Sequence, residues 1–334
     1  MFPHTLKSKE MYLLNKKCLE AAKILIETCG GCKQDEKIAI ITDDSSLELA
    51  KIMWAALEAY PQKTLVLMPD AQMHGEDTND VVGNAMLHAD VIFGCTKFSL
   101  THAPKKKIAV QQGARFVNMA DYDMSMMEDG GLHADFHEMK KLCLAVGEKI
   151  KDRSRIEITT PRGSHYTASI EGRAPFMSFG MAHEPGTACT PPCVMCSTCA
   201  VEGTGEGVVY LDGSVIHPSI GLVTDAIKLT IHKGLITDIT GGPQAQTLKE
   251  LLTSFHEDAA FNVGEIGIGL NTKCKLRGRM LEDEGCGGTV HFGIGDNRGF
   301  GGHMACSFHL DAVFCEPTLL VDGTPVLIDG KIIV

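Results

Sequence analysis

The chain has 334 residues, a formal net charge of −11 and 44% hydrophobic residues. This length suffices for two domains and a large core, and the acidic balance argues against nucleic-acid binding, which needs a basic surface. No segment approaches the apolar length of a membrane span, and the first residues lack the apolar core of a signal peptide. The 13 cysteines are an odd number in a long chain, which favours reduced thiols. We therefore expect a cytoplasmic protein.

The first 150 residues alternate helices and strands. Apolar residues at helical spacing predict a helix over residues 6–29, which Gly30 and Gly31 end. Predicted strands follow at 37–42, 64–68, 89–94 and 114–119, and predicted helices at 47–57, 81–87, 105–112 and 136–149. This alternation predicts a parallel sheet covered by helices. The sequence has neither a Walker loop nor a GxGxxG motif, so we do not expect nucleotide binding.

The character of the sequence changes after about residue 153. Short strand-like segments are separated by Gly and Asp-Gly turns, such as those at Asp212 and Asp322, and one helix is predicted at roughly 244–256. We therefore expect an α/β fold class with two domains. The first is a parallel-sheet α/β domain over residues 1–150, and the second is a β-rich metal-binding domain over residues 151–334.

Three glycine-rich segments in the last quarter of the chain, Gly264–Gly269, Thr289–Gly295 and Ser307–Asp311, predict a metal site. Side chains of a strand alternate between its two faces, so each segment has an apolar back and a polar front. The glycines leave room at the front for an ion or a substrate. The candidate metal ligands on these fronts are Glu265, His291, His309 and Asp311. This donor set suits a divalent ion such as zinc, manganese or iron(II).

Two other segments carry candidate catalytic residues. Glu282 and Glu284 precede a glycine-rich loop and could act as general bases, or they could belong to a solvated turn. Thr101 and His102 follow a predicted parallel strand, and ligands tend to bind at such carboxyl ends. His102 could donate a proton to the substrate or bind it, with Thr101 beside it. Alternatively, Thr101 could cap the next helix.

The cysteines at 189, 193, 196 and 199 have the spacing C-x3-C-x2-C-x2-C. Read alone, this spacing could hold an iron–sulfur cluster or zinc. The first three also have the spacing of radical enzymes that use S-adenosylmethionine. Those enzymes place the cysteines after the first strand of a barrel, which the sequence here does not predict.

With these residues identified, most of the chain resembles the aminopeptidase T family of metallopeptidases, in particular its short leucyl-aminopeptidase-like branch. The same scaffold is similar to dihydroxypyridine ring-cleaving dioxygenases, which use one iron(II). The resemblance is carried by Lys97–His102, Val201–Thr204, Asp212–Ser214, Gly264–Gly267, Leu281–Glu284, Gly288–His291 and His309–Asp311. It implies an α/β domain, a β-rich metal domain and a homo-oligomer, a dimer or larger.

The resemblance also implies a ligand set. In the peptidases two metals are held by two glutamates, two histidines and an aspartate, and Glu265, His291, His309 and Asp311 match four of those five positions. Met195 stands at the fifth, and a thioether does not offset the charge of two hard cations. We therefore expect one divalent ion per chain.

The residues and the resemblance together leave three functions open. The first is a metallohydrolase of the aminopeptidase T type, in which a metal-activated water attacks an amide or a cyclic ketone in a small molecule. The second is a mononuclear iron(II) ring-cleaving dioxygenase. The third is a non-catalytic metal or redox protein built on the cysteine cluster. The first is the main prediction.

Overall fold

The structure is a computed structural model that describes residues 16–334. The chain forms two compact units: one ends at Phe136 and also takes in Gly180–Pro191, and the other consists of His137–Phe179 and Pro192–Val334. The chain therefore crosses from one unit to the other more than once. The division into residues 1–150 and 151–334 stays a prediction.

Helices are concentrated in the first half of the chain. The helix α1 (Lys16–Lys23) continues as a π-helical turn over Ile24–Cys29. The beginning of the helix predicted over residues 6–29 lies outside the described residues. The other α-helices among residues 16–334 are α2 (Leu47–Ala56), α3 (Asp80–Leu87), α4 (Pro104–Gln111), α5 (Met124–Glu128), α6 (Phe136–Ile150), α7 (Pro243–Ser254) and α8 (Met280–Asp283). Short 3-10 turns occur at Gly131–His133, Asp258–Phe261 and Arg298–Phe300. None of these helices combines the length and apolar character that crossing a bilayer demands.

Strands become dense after α6. In chain order they are β1 (Ile38–Asp43), β2 (Lys63–Met68), β3 (Val91–Cys95), β4 (Arg115–Asn118), β5 (Arg155–Thr159), β6 (His165–Ser169), β7 (Phe176–Ser178), β8 (Ala188–Cys189), β9 (Met195–Cys199), β10 (Glu206–Leu211), β11 (Ser214–Val215), β12 (Gly221–Leu222), β13 (Ile227–His232), β14 (Leu235–Thr240), β15 (Val263–Gly269), β16 (Val290–Gly295), β17 (His309–Phe314), β18 (Thr318–Val321), β19 (Thr324–Ile328) and β20 (Lys331–Ile332).

The first unit is built on a five-stranded parallel sheet in the order β2-β1-β3-β4-β8. Strands β1 and β3 are buried along their whole length, as expected for a parallel sheet covered on both faces. Ile41, Ile92 and Phe116 belong to its core. The edge strand β8 comes from the segment that returns to this unit late in the chain.

The second unit contains two sheets whose strand pairs are antiparallel. One has eight strands in the order β14-β13-β10-β6-β5-β18-β19-β20, and the other has seven in the order β12-β11-β17-β16-β15-β9-β7. Tyr166 of β6 packs against Phe292 of β16 with ring centroids 4.8 Å apart, so aromatic side chains fill the space between the sheets. A parallel-sheet α/β unit followed by a β-rich unit confirms the predicted fold class.

Candidate metal site

Three neighbouring strands of the seven-stranded sheet, β15, β16 and β17, carry the predicted metal ligands. Their register places Glu265, Gly293 and Asp311 in one row across the sheet. His309 lies two residues before Asp311 on β17 and therefore projects from the same face. Because Gly293 has no side chain, the carboxylates on either side of it and the His309 imidazole can approach one another.

The side chains of Glu265, His309 and Asp311 converge. His309 Nε2 lies 3.1 Å from Glu265 Oε2 and 3.2 Å from Asp311 Oδ1. One ligand atom from each of the three residues lies within 4.8 Å of the other two. Within residues 16–334, no other group of three or more His, Cys, Asp or Glu side chains is this close together. The trio thus has the separation required of side chains that bind one ion.

His291 lies next to the trio. Its Nε2 is 3.6 Å from Glu265 Oε1, and each of the two side chains is only 1% exposed. Neither His291 nitrogen nor Glu265 Oε1 has a hydrogen-bond partner among the described residues. Buried polar atoms nearly always have a hydrogen-bond partner. These buried atoms without one are therefore suited to bind a metal ion.

Two glycines make room for the ligands. A Cβ at Gly267 would lie 2.0 Å from His291 Nε2, and one at Gly293 would lie 2.4 Å from His309 Cε1 and 2.7 Å from Glu265 Cβ. Atoms that are not bonded do not approach this closely. Glycine is therefore required at both positions if the ligand side chains are to keep their places.

The backbone selects the orientation of His309. Its Nδ1 lies 2.8 Å from the carbonyl oxygen of Asp296. A carbonyl oxygen only accepts, so Nδ1 carries the proton and donates it. This bond turns Nε2 toward the carboxylates of Glu265 and Asp311. Metal-binding histidines are usually oriented by a hydrogen bond of this kind from their other nitrogen.

The charges of the trio are strongly interdependent. Burial alone would raise the pKa of Glu265, but the imidazoles of His291 and His309 lower it below its ordinary value. Burial opposes ionisation of Asp311 too, yet His309 lowers the pKa of Asp311 to about 2. Burial would lower the pKa of His309, but Asp311 and Glu265 raise it to about 12. Two ionised carboxylates therefore stabilise a positive charge between them, and a divalent cation would satisfy the same requirement.

Glu284 contacts this site. It follows α8, and its carboxyl is close enough to Asp311 and Glu265 for their negative charges to act on it. Burial and the negative charges of Asp311 and Glu265 raise the pKa of Glu284 well above its usual range. Its Oε2 also lies 3.9 Å from the thiol of Cys193. Burial and these charges therefore favour the protonated form of Glu284 beside a candidate ligand.

Glu282, only two residues earlier, points elsewhere. Its fully buried carboxylate accepts hydrogen bonds from Arg277 Nε at 2.7 Å and from the backbone N of Lys275 at 3.1 Å. Asp283 accepts bonds from the backbone of Arg277 and Gly278. These two carboxylates stabilise the preceding loop. The structure therefore separates Glu282 from Glu284, and a catalytic role for either one stays a prediction.

Thr101 and His102 belong to the first unit. They lie in the turn between β3 and α4, where Thr101 Oγ1 accepts a hydrogen bond from Ser99 Oγ at 2.9 Å. Ala103, without a side-chain cap, is the N-cap of α4, so the alternative that Thr101 caps this helix is wrong. Partial desolvation and the charges of Lys107 and Lys106 lower the pKa of His102. Substrate binding by Thr101 and His102 stays a prediction.

The four cysteines of the C-x3-C-x2-C-x2-C motif do not form a metal cluster within residues 16–334. Cys189 lies in the first unit, whereas Cys193, Cys196 and Cys199 lie in the second. Cys196 and Cys199 are three residues apart on β9 and therefore face opposite sides of the sheet. Cys199 is the register neighbour of Glu265, and Met195 is the register neighbour of Gly269. Within residues 16–334, these four cysteines therefore support neither an iron–sulfur cluster nor a zinc site.

The sequence did not predict the loop that borders His309. Phe300 stacks on the His309 ring with centroids 5.4 Å apart and an interplanar angle of 26°. Phe176 meets Phe300 edge-on at 5.3 Å. The one sequence signal for this loop is its place between the strands of His291 and His309.

Comparison with known proteins identifies the family. A family model described as NicX: 2,5-dihydroxypyridine 5,6-dioxygenase matches residues 18–334. The chain belongs to this family. It is 25% identical over 244 residues to the 2,5-dihydroxypyridine 5,6-dioxygenase of Pseudomonas putida KT2440, a match that covers 70% of this chain and 69% of that one.

Two solved structures share the fold. The 2,5-dihydroxypyridine dioxygenase of Pseudomonas putida KT2440 superposes with a TM-score of 0.77 at 20% identity, covering 95% of this chain and 97% of that one. Wild-type AmpT from Thermus thermophilus superposes with a TM-score of 0.66 at 12% identity, covering 96% and 99%. The scaffold shared with aminopeptidase T is therefore confirmed.

The prediction of a metallohydrolase of the aminopeptidase T type is wrong. Both the family model and the curated relative are dioxygenases, which are oxidoreductases. The physical reason for the error is that histidine and carboxylate donors suit both hydrolytic and oxidative metal chemistry, so the ligand types alone did not distinguish the two enzyme classes. The departure at Met195 was the sequence feature that pointed away from a two-metal peptidase.

Proposed function

We propose that the protein is a mononuclear iron(II) dioxygenase that opens the ring of a dihydroxylated nitrogen heteroaromatic, such as 2,5-dihydroxypyridine. The observation that carries the proposal is the convergence of Glu265, His309 and Asp311 on one face of the sheet, in a chain of the NicX family. The net reaction adds both atoms of O2 to the substrate and breaks a ring carbon–carbon bond. It needs no external reductant.

Glu265, His309 and Asp311 would hold the ion, and His291 would be a fourth donor beside Glu265. Imidazole and carboxylate ligands with open positions suit iron(II) in oxygenases. When bound, iron(II) supplies the electron transfer that lets O2 react with an aromatic ring. Two observations support this assignment. Buried polar atoms of His291 and Glu265 have no hydrogen-bond partner among the described residues, and Gly267 and Gly293 leave room for the ligand side chains.

The remaining residues would bind the ring and manage protons. Phe300 and Phe176 provide aromatic surface next to His309, which suits a planar ring. Glu284 would hold a proton at its carboxyl beside Asp311 and exchange it with a ring oxygen or nitrogen. Burial of Glu265 and His291 keeps water away from this side of the site.

Isotope labelling tests the proposal. Protein purified without air and loaded with iron(II) should consume one O2 per 2,5-dihydroxypyridine, and mass spectrometry should find both atoms of ¹⁸O-labelled O2 in the ring-opened product. Metal analysis should find about one ion per chain, since residues 16–334 contain one such trio of ligands. Substrate consumption under strict anoxia, or oxygen from water alone in the product, would contradict the proposal.

A pair of histidine variants provides the matched control. His309→Ala should lose metal and O2 uptake. His232→Ala removes an exposed histidine of the same unit that contacts Glu206, and it should retain both. Equal loss in the two variants would show that the effect is not specific to the site.

We also propose that the protein forms a homo-oligomer, as the family resemblance implies. Light scattering after gel filtration would measure the mass in solution. A monomer mass of 36.0 kDa at all concentrations would contradict this.

A further inference from the structure

Glu202 lies outside the candidate ligands, but its carboxylate is fully engaged. Its Oε1 accepts hydrogen bonds from the backbone N of His303 at 2.7 Å and from Asn297 Nδ2 at 3.1 Å. Its Oε2 pairs with Arg173 at 2.5 Å. Arg173 also donates to the carbonyl of Gly301. Glu202 and Arg173 thus bind one chain segment at several points; we call this segment, residues 297–304, the Asn297 loop.

The Asn297 loop is also held from within. Asn297 is fully buried, its backbone N donates to the carbonyl of Met304 at 3.2 Å, and its Oδ1 accepts from the N of Met304 at 2.8 Å. A Cβ at Gly264 would lie 2.4 Å from Asn297 Cβ, and one at Gly302 would lie 2.1 Å from Asn297 Cγ. The chain therefore uses two glycines to seat Asn297. Such close packing restricts the movement of Asn297 within the loop.

This loop and the residue before it contact His309 in two ways. Phe300 of the loop stacks on the His309 ring, and the carbonyl of Asp296 accepts the Nδ1 proton. Tilting the imidazole would disrupt the stack, and flipping it would break the Nδ1 hydrogen bond. The His309 side chain is 28% exposed, more than Glu265 or His291, so the loop contacts act together with the carboxylates of Glu265 and Asp311 to hold its orientation.

We propose that Glu202 is a positioning residue of the metal site, which acts through the Asn297 loop to keep His309 in the orientation that binds the ion. The inference rests on the proposed function in one respect, namely that His309 is a metal ligand. Mutation of a residue that orients a metal ligand without binding the metal typically costs about 10–100-fold in metal affinity or activity.

Cobalt(II) is the probe that tests this inference, because its visible absorption reports ligand geometry directly. Glu202→Gln keeps the shape of the side chain but removes the charge that pairs with Arg173. We expect its cobalt(II) dissociation constant to rise about tenfold or more, with altered visible bands. Phe300→Leu removes the ring stack while Glu202 stays intact, and it should alter the bands in the same way.

The matched control is Glu206→Gln. Glu206 is an exposed glutamate of the same unit that accepts hydrogen bonds from Lys233 and His232, and its variant should bind cobalt(II) as the unmodified protein does. Thermal unfolding of each variant verifies folding. If Glu202→Gln does not fold, Arg173→Lys decides, since lysine keeps the charge but loses the forked contact.

The outcomes separate the two proposals. If the unmodified protein binds cobalt(II) but Glu202→Gln, or Arg173→Lys in its place, shows the same affinity and spectrum, the positioning role is wrong, whatever happens to thermal stability. If the unmodified protein takes up no cobalt(II), the proposed metal site itself fails.

Discussion

The two faces of the strands β15, β16 and β17 have the same backbone but opposite chemistry. The front carries Glu265, His291, His309 and Asp311 with glycines between them, whereas the back carries Ile266, Phe292 and Ile294, each fully buried. Phe292 packs there against Tyr166 of the other sheet. The back therefore stabilises the fold by apolar burial, whereas the front carries buried charges whose desolvation cost must be offset by pairing or by an ion.

The largest effect is expected from Glu265→Gln on the front. Gln has nearly the same shape, but it removes one of the two negative charges between which a cation is stabilised. We expect the variant to fold and to lose its metal during dialysis, together with its turnover. Metal analysis checks this against Glu206→Gln, and a full complement of metal in Glu265→Gln would remove Glu265 from the ligand set.

Gly293→Ala tests the space on the front. The new Cβ would lie 2.4 Å from His309 Cε1, so the imidazole or the strand must shift, at a cost of about 1–3 kcal/mol in unfolding free energy. We expect metal affinity to fall much more than stability does. Denaturant unfolding and cobalt(II) titration measure the two quantities, and unchanged affinity would mean that the ligands do not need this room.

Glu284→Gln tests whether the Glu284 carboxyl, which lies beside the front, exchanges a proton during turnover. Gln has nearly the same shape as Glu but cannot exchange a proton, so we expect kcat to fall about 100-fold while metal content stays the same. Glu282→Gln is the matched variant, because its carboxylate binds Arg277 instead of the site. A larger loss of kcat in a folded Glu282→Gln would reverse the assignment of the two glutamates.

The smallest effect is expected on the back. Ile294→Val removes one buried methylene and should lower the unfolding free energy by about 0.5–1.5 kcal/mol. Metal content and kcat per folded chain should stay unchanged, because Ile294 faces away from the ligands. A change in the cobalt(II) spectrum of this variant would show that the two faces are not independent.

Much of the fold was predictable because the relevant patterns are local. The apolar run within the strand predicted at 37–42 indicates a buried parallel strand, and β1 is buried throughout. Alternation places Glu265 and Gly267 on one face of β15 without any knowledge of their neighbours. Strand β8 was not predictable, because Ala188–Cys189 is too short to show a pattern. The Asn297 loop was missed for a similar reason: its contacts with Glu202 and Arg173 span about 95 to 128 positions of sequence.

By itself the sequence determined which face of each strand is polar and which residue types can bind a metal. Only the tertiary structure decided that Glu265, His309 and Asp311 meet, that Glu284 joins them while Glu282 turns to Arg277, and that Phe300 covers His309. The physical reason is that alternation depends on adjacent residues of one strand. Register and loop anchoring depend on contacts between segments far apart in the chain.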